Sequence, residues 1–87
     1  MNTPKIISVQ ALEKSNLSIR FENGIIKEYD CKQLFHLERF SLLRNNDLFK
    51  TVRVDVGGYG ITWNDMIDLS EYELWTNGTE VGSTILE

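Results

Sequence analysis

Residues 17–30 read Leu17-Ser18-Ile19-Arg20-Phe21-Glu22-Asn23-Gly24-Ile25-Ile26-Lys27-Glu28-Tyr29-Asp30. Leu17, Ile19 and Phe21 alternate with Ser18, Arg20 and Glu22, the period of two that marks a half-buried strand. Asn23-Gly24 follows, and both residue types tolerate positive φ, so the chain reverses there into a hairpin. A two-residue loop would set Ile19 opposite Glu28 and Leu17 opposite Asp30, apolar against acidic on the face to be buried. A three-residue loop, Glu22-Asn23-Gly24 with Gly24 left-handed, pairs Phe21 with Ile25 and Leu17 with Tyr29. It also places Lys27 against Ile19, where the aliphatic stem can lie on the surface while the ammonium reaches water. Burial decides register, so the sequence predicts the three-residue loop with a bulge at Gly24.

Upstream, residues 6–12 read as a first strand with Ile7, Val9 and Ala11 on one face, and Ser15-Asn16 turns the chain. Downstream, Asp30 and Gln33 have capping-box spacing for a short helix that puts Cys31, Leu34 and Phe35 on one face. The Leu- and Phe-rich stretch from His36 to Lys50 is interrupted at Asn45-Asn46, which predicts two short helical pieces. A second hairpin follows. Val52, Val54 and Val56 alternate with polar residues, Gly57-Gly58 supplies a two-residue turn, and the register pairs Val56 with Tyr59, Val54 with Ile61 and Val52 with Trp63 on one apolar face. Ser70 and Glu73 form another capping box for a helix carrying Tyr72, Leu74 and Trp75, ended by Asn77-Gly78. Residues 79–87 are expected to form a tail or an edge strand at 83–86. The fold class is α+β: a small antiparallel sheet of about five strands, two hairpins plus an N-terminal strand, with short helices on one face.

The chain has 87 residues, 41% of them hydrophobic and 25% charged. That is the balance of one globular domain spanning residues 1–87. No window approaches the roughly 18 apolar residues that cross a bilayer, and the N-terminus lacks a signal-peptide pattern. The single cysteine, Cys31, forms no internal disulfide and fits a reducing cytoplasm. The net charge of −4 is unevenly spread. Up to Arg53 there are nine basic and six acidic residues, +3; beyond Arg53 there are seven acidic residues and no Lys or Arg. That acidic half disfavours general nucleic-acid binding.

Residues for chemistry are few. Cys31 and His36, five apart, point about 140° apart on a helix and share no face, so they make no nucleophile–base pair. Asp65, Asp68, Glu71 and Glu73 are an oxygen-rich group, yet their spacing matches no calcium loop, and a helix N-terminus accounts for the acids near Ser70. Gly57-Gly58-Tyr59-Gly60 lies between strands and lacks the phosphate-loop lysine. Arg39, Arg44, Lys50 and Arg53 interleave with Phe40 and Phe49, which read as core residues rather than base-stacking platforms. Trp63 reads as core by its place in the hairpin; Trp75 is open to a core or an interface role.

The motifs Phe21-Glu22-Asn23-Gly24, Phe40-x-x-Leu43, Phe49-x-x-Val52-x-Val54-Asp55, Ile61-x-Trp63, Ile67-Asp68-Leu69-Ser70, Leu74-Trp75 and Asn77-Gly78 occur in that order. Across residues 6–78 the chain thereby resembles a bacterial family of unknown function numbered 2442. The family usually has Asp-Gly where this chain has Asn23-Gly24, which the turn tolerates equally. The resemblance implies a small α+β fold without established catalytic residues. It also implies a gene often placed beside a second small domain of unknown function, in a toxin–antitoxin-like pair. Some relatives are fused to a helix-turn-helix domain; no such extension is expected here, so DNA binding is expected only through a partner.

The functional expectation is a non-enzymatic cytoplasmic protein-interaction module with no cofactor or metal, the antitoxin-like member of a two-protein system. Its partner is expected to be a basic protein, met by Asp65, Asp68, Glu71, Glu73 and Trp75. The alternatives are a self-associating domain, a homodimer extending its sheet through the first strand or Ile85-Leu86, and a metal-dependent enzyme using the cluster from Asp65 to Glu73.

Overall fold

The alternating stretch at 17–21 becomes β2 (Asn16–Phe21), with β1 (Ile6–Ala11) and β3 (Ile25–Asp30) on either side. The computed structural model describes residues 3–83. Leu17 lies opposite Tyr29 and Ile19 opposite Lys27. Gly24 has φ 88°, and its N–H donates to the Phe21 carbonyl at 2.9 Å. The three-residue loop is therefore the one formed. Leu17, Ile19, Phe21 and Tyr29 are buried as that register requires.

β1 departs from the expected parity. Ile6 pairs with Phe21 but Ser8 with Arg20, so Ile7 is an inserted bulge residue and stands 53% exposed. The extra residue shifts the alternation by one, allowing Ile6 to share the inner face with Val9 and Ala11. The turn into β2 carries two non-glycine residues at positive φ, Lys14 and Ser15.

Asp30 caps the 3-10 turn Cys31–Leu34 by accepting the Lys32 N–H, while Gln33 reaches back to donate to the Asp30 carbonyl. The next stretch is broken as expected, into α1 (Glu38–Ser41) with a following 3-10 turn and α2 (Asn46–Phe49). Asn45 causes the break, because its side chain accepts the N–H groups of Asp47 and Leu48 and starts a new helix. Phe40, Leu43 and Phe49 point inward.

The second hairpin joins β4 (Arg53–Val54) to β5 (Gly60–Asn64) in the expected register, Val54 opposite Ile61. The turn is wider than two residues. Gly57 at φ 83°, ψ −5° sits third in a type II turn closed by the Gly58 N–H on the Asp55 carbonyl. Val56 and Tyr59 do not continue the apolar face, being 92% and 60% exposed. The reason lies at Gly58, which is packed so closely on β1 that a Cβ would fall 2.6 Å from the Ile6 carbonyl oxygen. The loop leans on β1 and turns its side chains outward.

β6 (Ile67–Ser70) and β7 (Thr79–Ser83) join the five strands read from the sequence, giving two antiparallel sheets with orders β1-β2-β3-β7 and β4-β5-β6. The end strand thus begins earlier than expected and pairs with β3. Ile85 and Leu86 lie outside the described residues. Between β6 and β7, α3 (Glu71–Asn77) is capped by the Ser70 hydroxyl, which accepts the Glu73 N–H, and ends at Gly78 as expected. The capping box is only half formed, because the Glu73 side chain turns to Tyr29 instead.

One continuous core links both sheets and the helices. Phe49 stacks on Trp63 with ring centroids 6.2 Å apart, and the Trp63 indole donates to the Phe49 carbonyl at 3.0 Å, satisfying a buried N–H. Leu74 seals the core from α3. Among the described residues, no helix is long and apolar enough to cross a membrane.

Candidate partner-binding surface

The three-stranded sheet has an apolar inner face and a polar outer one, because β4, β5 and β6 alternate in step. Val54, Ile61 and Leu69 form an inner row, whereas Arg53, Thr62 and Asp68 form an outer row. A second outer row runs Asp55, Gly60, Ser70, joined by the Asp55 N–H on the Gly60 carbonyl at 2.9 Å. Gly60 carries no side chain there, and a Cβ would meet the Leu69 carbonyl oxygen at 2.6 Å. The gap leaves a hollow of about 170 Å³ lined by Asp55, Tyr59, Gly60, Asp68 and Ser70 among others. Asp55 and Asp68 are exposed on its rim, and Asp65 is exposed in the turn from β5 to β6.

The five residues singled out in the sequence divide sharply. Asp65 and Asp68 face solvent. Asp68 lies on β6, not in the helix turn where dipole stabilisation was expected. Glu71, Glu73 and Trp75 are held within the fold. Lys5 Nζ lies 3.4 Å from Glu71 Oε2 and 4.6 Å from the centre of the Tyr59 ring. That buried oxygen has no hydrogen bond within the described residues, so the contact is an ion pair without hydrogen-bond geometry. Glu73 Oε2 accepts the Tyr29 hydroxyl at 2.7 Å. Trp75 packs edge-on against Phe21, centroids 5.0 Å apart, and carries Lys27 Nζ 4.0 Å from its own ring centre. Lys27 also donates to the Trp75 carbonyl, so its ammonium caps the end of α3 rather than reaching into water.

Sequence reasoning missed Asp55 and Tyr59 as neighbours of Asp68. A glycine inside a strand pattern, here Gly60, was the available signal, since it marks close backbone approach. The buried Cys31 thiol is pushed up to about 12 by desolvation, with the Asp30 charge adding to it. A thiol so held is not a nucleophile at neutral pH, and His36 is exposed on a different stretch of chain. Among the described residues, no group of three His, Cys, Asp or Glu side chains is placed to hold a metal ion.

No curated protein and no solved structure matches the chain. The family described as Protein of unknown function (DUF2442) matches over residues 6–80, and the chain belongs to that family.

Proposed function

We propose that this chain is a non-enzymatic protein-interaction module whose acidic sheet face receives a basic protein, as the antitoxin-like half of a two-protein pair would. The observation carrying this reading is the outer face of β4-β5-β6, where Asp55 and Asp68 flank a hollow and Asp65 is exposed in the turn that joins β5 to β6. Arg53 shares the outer row with Asp68 but forms no ion pair with it; its guanidinium donates to the Trp63 carbonyl at 3.3 Å. Exposed carboxylates on a rigid sheet, in no ion pair among the described residues, raise the encounter rate with a basic partner and select against acidic ones. Glu71, Glu73 and Trp75 act one step back, since their contacts with Lys5, Tyr29 and Phe21 hold α3 beside the sheet edge.

The test is co-purification of the tagged full chain from its native host, alongside the Asp65→Lys/Asp68→Lys double variant. The expected result is a basic polypeptide retained by the wild type, released as salt is raised, and lost from the variant. Recovery of the chain alone, or equal retention by the variant, would reject the reading.

A further inference from the structure

Two large apolar side chains stand on the surface where the fold makes no use of them. Leu42 is 56% exposed where α1 ends, and Met66 is 71% exposed in the turn from β5 to β6. Both line one groove of about 460 Å³, together with Glu38, Arg39 and Ser41. Met66 is an unusual choice for a tight turn, where small polar residues and glycine predominate. The turn that presents it is fixed: the Met66 N–H donates to Asn64 Oδ1 at 2.8 Å, and Thr62 Oγ1 donates to the Asn64 carbonyl at 2.8 Å. On the other wall, Ser41 Oγ donates to the Glu38 carbonyl at 2.6 Å. Neither Glu38 nor Arg39 forms an ion pair with any described residue; the Arg39 guanidinium lies 5.0 Å from the centre of the Phe40 ring.

We propose that this groove is the contact between two copies of the chain, related by a two-fold axis. Leu42 and Met66 of each copy pack on those of the other, and Glu38 faces Arg39 of the partner subunit at both ends. A two-fold contact puts the same surface on both sides, so the patch must complement itself. An apolar centre bordered by one acid and one base on the same helical turn does so. A partner of single charge sign would instead press either Glu38 or Arg39 against its own kind. The proposal does not rest on the acidic sheet face: the hollow flanked by Asp55 and Asp68 shares no lining residue with this groove.

Two apolar side chains per copy are a small contact, so the dimer is weak, with a Kd on the order of 100 µM. Sedimentation velocity of the full chain from about 10 µM to about 1 mM spans that range. The expected result is a mass rising from the 10.1 kDa monomer towards twice that value. Leu42→Glu and Met66→Lys are each expected to keep the chain monomeric, with circular dichroism unchanged because both side chains are exposed. Glu38→Arg and Arg39→Glu are each expected to weaken the dimer about tenfold. A mixture of E38R with R39E chains restores opposite charges at both ends and is expected to form the mixed dimer. A wild type that stays monomeric, a dimer that survives L42E and M66K, or one indifferent to both charge changes overturns the proposal. Asp68→Lys, which alters the outer sheet face and spares the turn that carries Met66, is expected to dimerise as the wild type does, so failure of the partner reading and failure of this one are separable.

Discussion

Tyr29 on β3 donates its hydroxyl to Glu73 on α3 at 2.7 Å, a bond between residues 44 positions apart that ties the last helix to the first sheet. The tyrosine is buried, and the carboxylate is half-buried. Removing the donor leaves an acceptor charge stripped of part of its water without a replacement. Tyr29→Phe is therefore expected to lower stability by about 1.5–2 kcal/mol, the lower part of the range for a bond to a charged group. Glu73→Gln, which keeps an acceptor, is expected to lose less. Urea unfolding of both variants and of the double variant gives the coupling; a Tyr29→Phe chain as stable as wild type would show that the bond contributes nothing.

The same burial makes the protein sensitive to alkali. Desolvation raises the Cys31 thiol from 9.0 to about 12 and pushes the Tyr29 phenol well above its usual 10.0, with the Glu73 hydrogen bond adding to the latter. Both groups thus hold their protons in the folded state at pH values where the unfolded chain has lost them. This contribution to stability is complete below pH 9.0 and declines above it, as the folded state binds more protons than the unfolded. Each group lowers stability by up to about 1.4 kcal/mol per pH unit within its window. Cys31→Ala is expected to delay the onset from about pH 9 to about pH 10, where Tyr29 begins to act. Urea midpoints measured between neutral pH and alkaline pH test this, and a flat profile in the wild type would contradict it.

What could be read in advance was decided by local chemistry. Asn23-Gly24 with the alternation on either side determines a register, because the competing two-residue loop sets Ile19 and Leu17 opposite acids on the core face. Asn45 ends one helix and starts the next through its own side chain. Ile7 was misplaced because a bulge inverts parity, and nothing within residues 6–12 announces the insertion. Val56 and Tyr59 were misplaced for a long-range reason, the close packing of Gly58 on Ile6. β6 was missed because four alternating residues between an acidic turn and a helix cap carry too little periodicity to be separated from the helix lead. Glu73 had a local partner available at Ser70 and took a distant one. Of the candidate surface, Asp65 and Asp68 were legible as charges; Asp55 and Tyr59 are brought beside Asp68 only by strand pairing.

The turn from β1 to β2 stores conformational strain that the sequence can relieve. Lys14 sits at φ 61°, ψ 33° and Ser15 at φ 62°. These are left-handed positions that disfavour residues with a Cβ by roughly 1–2 kcal/mol each. The Lys32 ammonium holds the turn by donating to the Lys14 carbonyl at 2.5 Å while paired with Asp30 at 2.9 Å. Asn-Gly is the favoured pair at two consecutive left-handed positions. Lys14→Asn/Ser15→Gly is expected to raise stability by about 1 kcal/mol, after allowing for the freedom glycine adds to the unfolded chain. Thermal melts of the double variant check it, and a lower melting temperature would mean that the turn is not under strain.

Two glycines separate backbone necessity from convenience. Gly58 has φ +77°, and a Cβ there would lie 2.6 Å from the Ile6 carbonyl oxygen and 3.0 Å from the Ile6 nitrogen. Neither neighbour can yield, since both are backbone atoms of β1, which is anchored through Ile6 in the core. Gly82 on β7 has ordinary backbone conformation, and a Cβ there would meet nothing within 4 Å among the described residues. Gly58→Ala must therefore either push the hairpin loop off β1 or distort β1 itself, and is expected to lower stability by about 2–3 kcal/mol. Gly82→Ala restricts the unfolded chain without a clash, and is expected to be neutral or to raise stability by about 0.5 kcal/mol. Denaturant unfolding of the two variants side by side decides the matter: if they behave alike, the loop does not lean on β1, and the outward turn of Val56 and Tyr59 needs another cause.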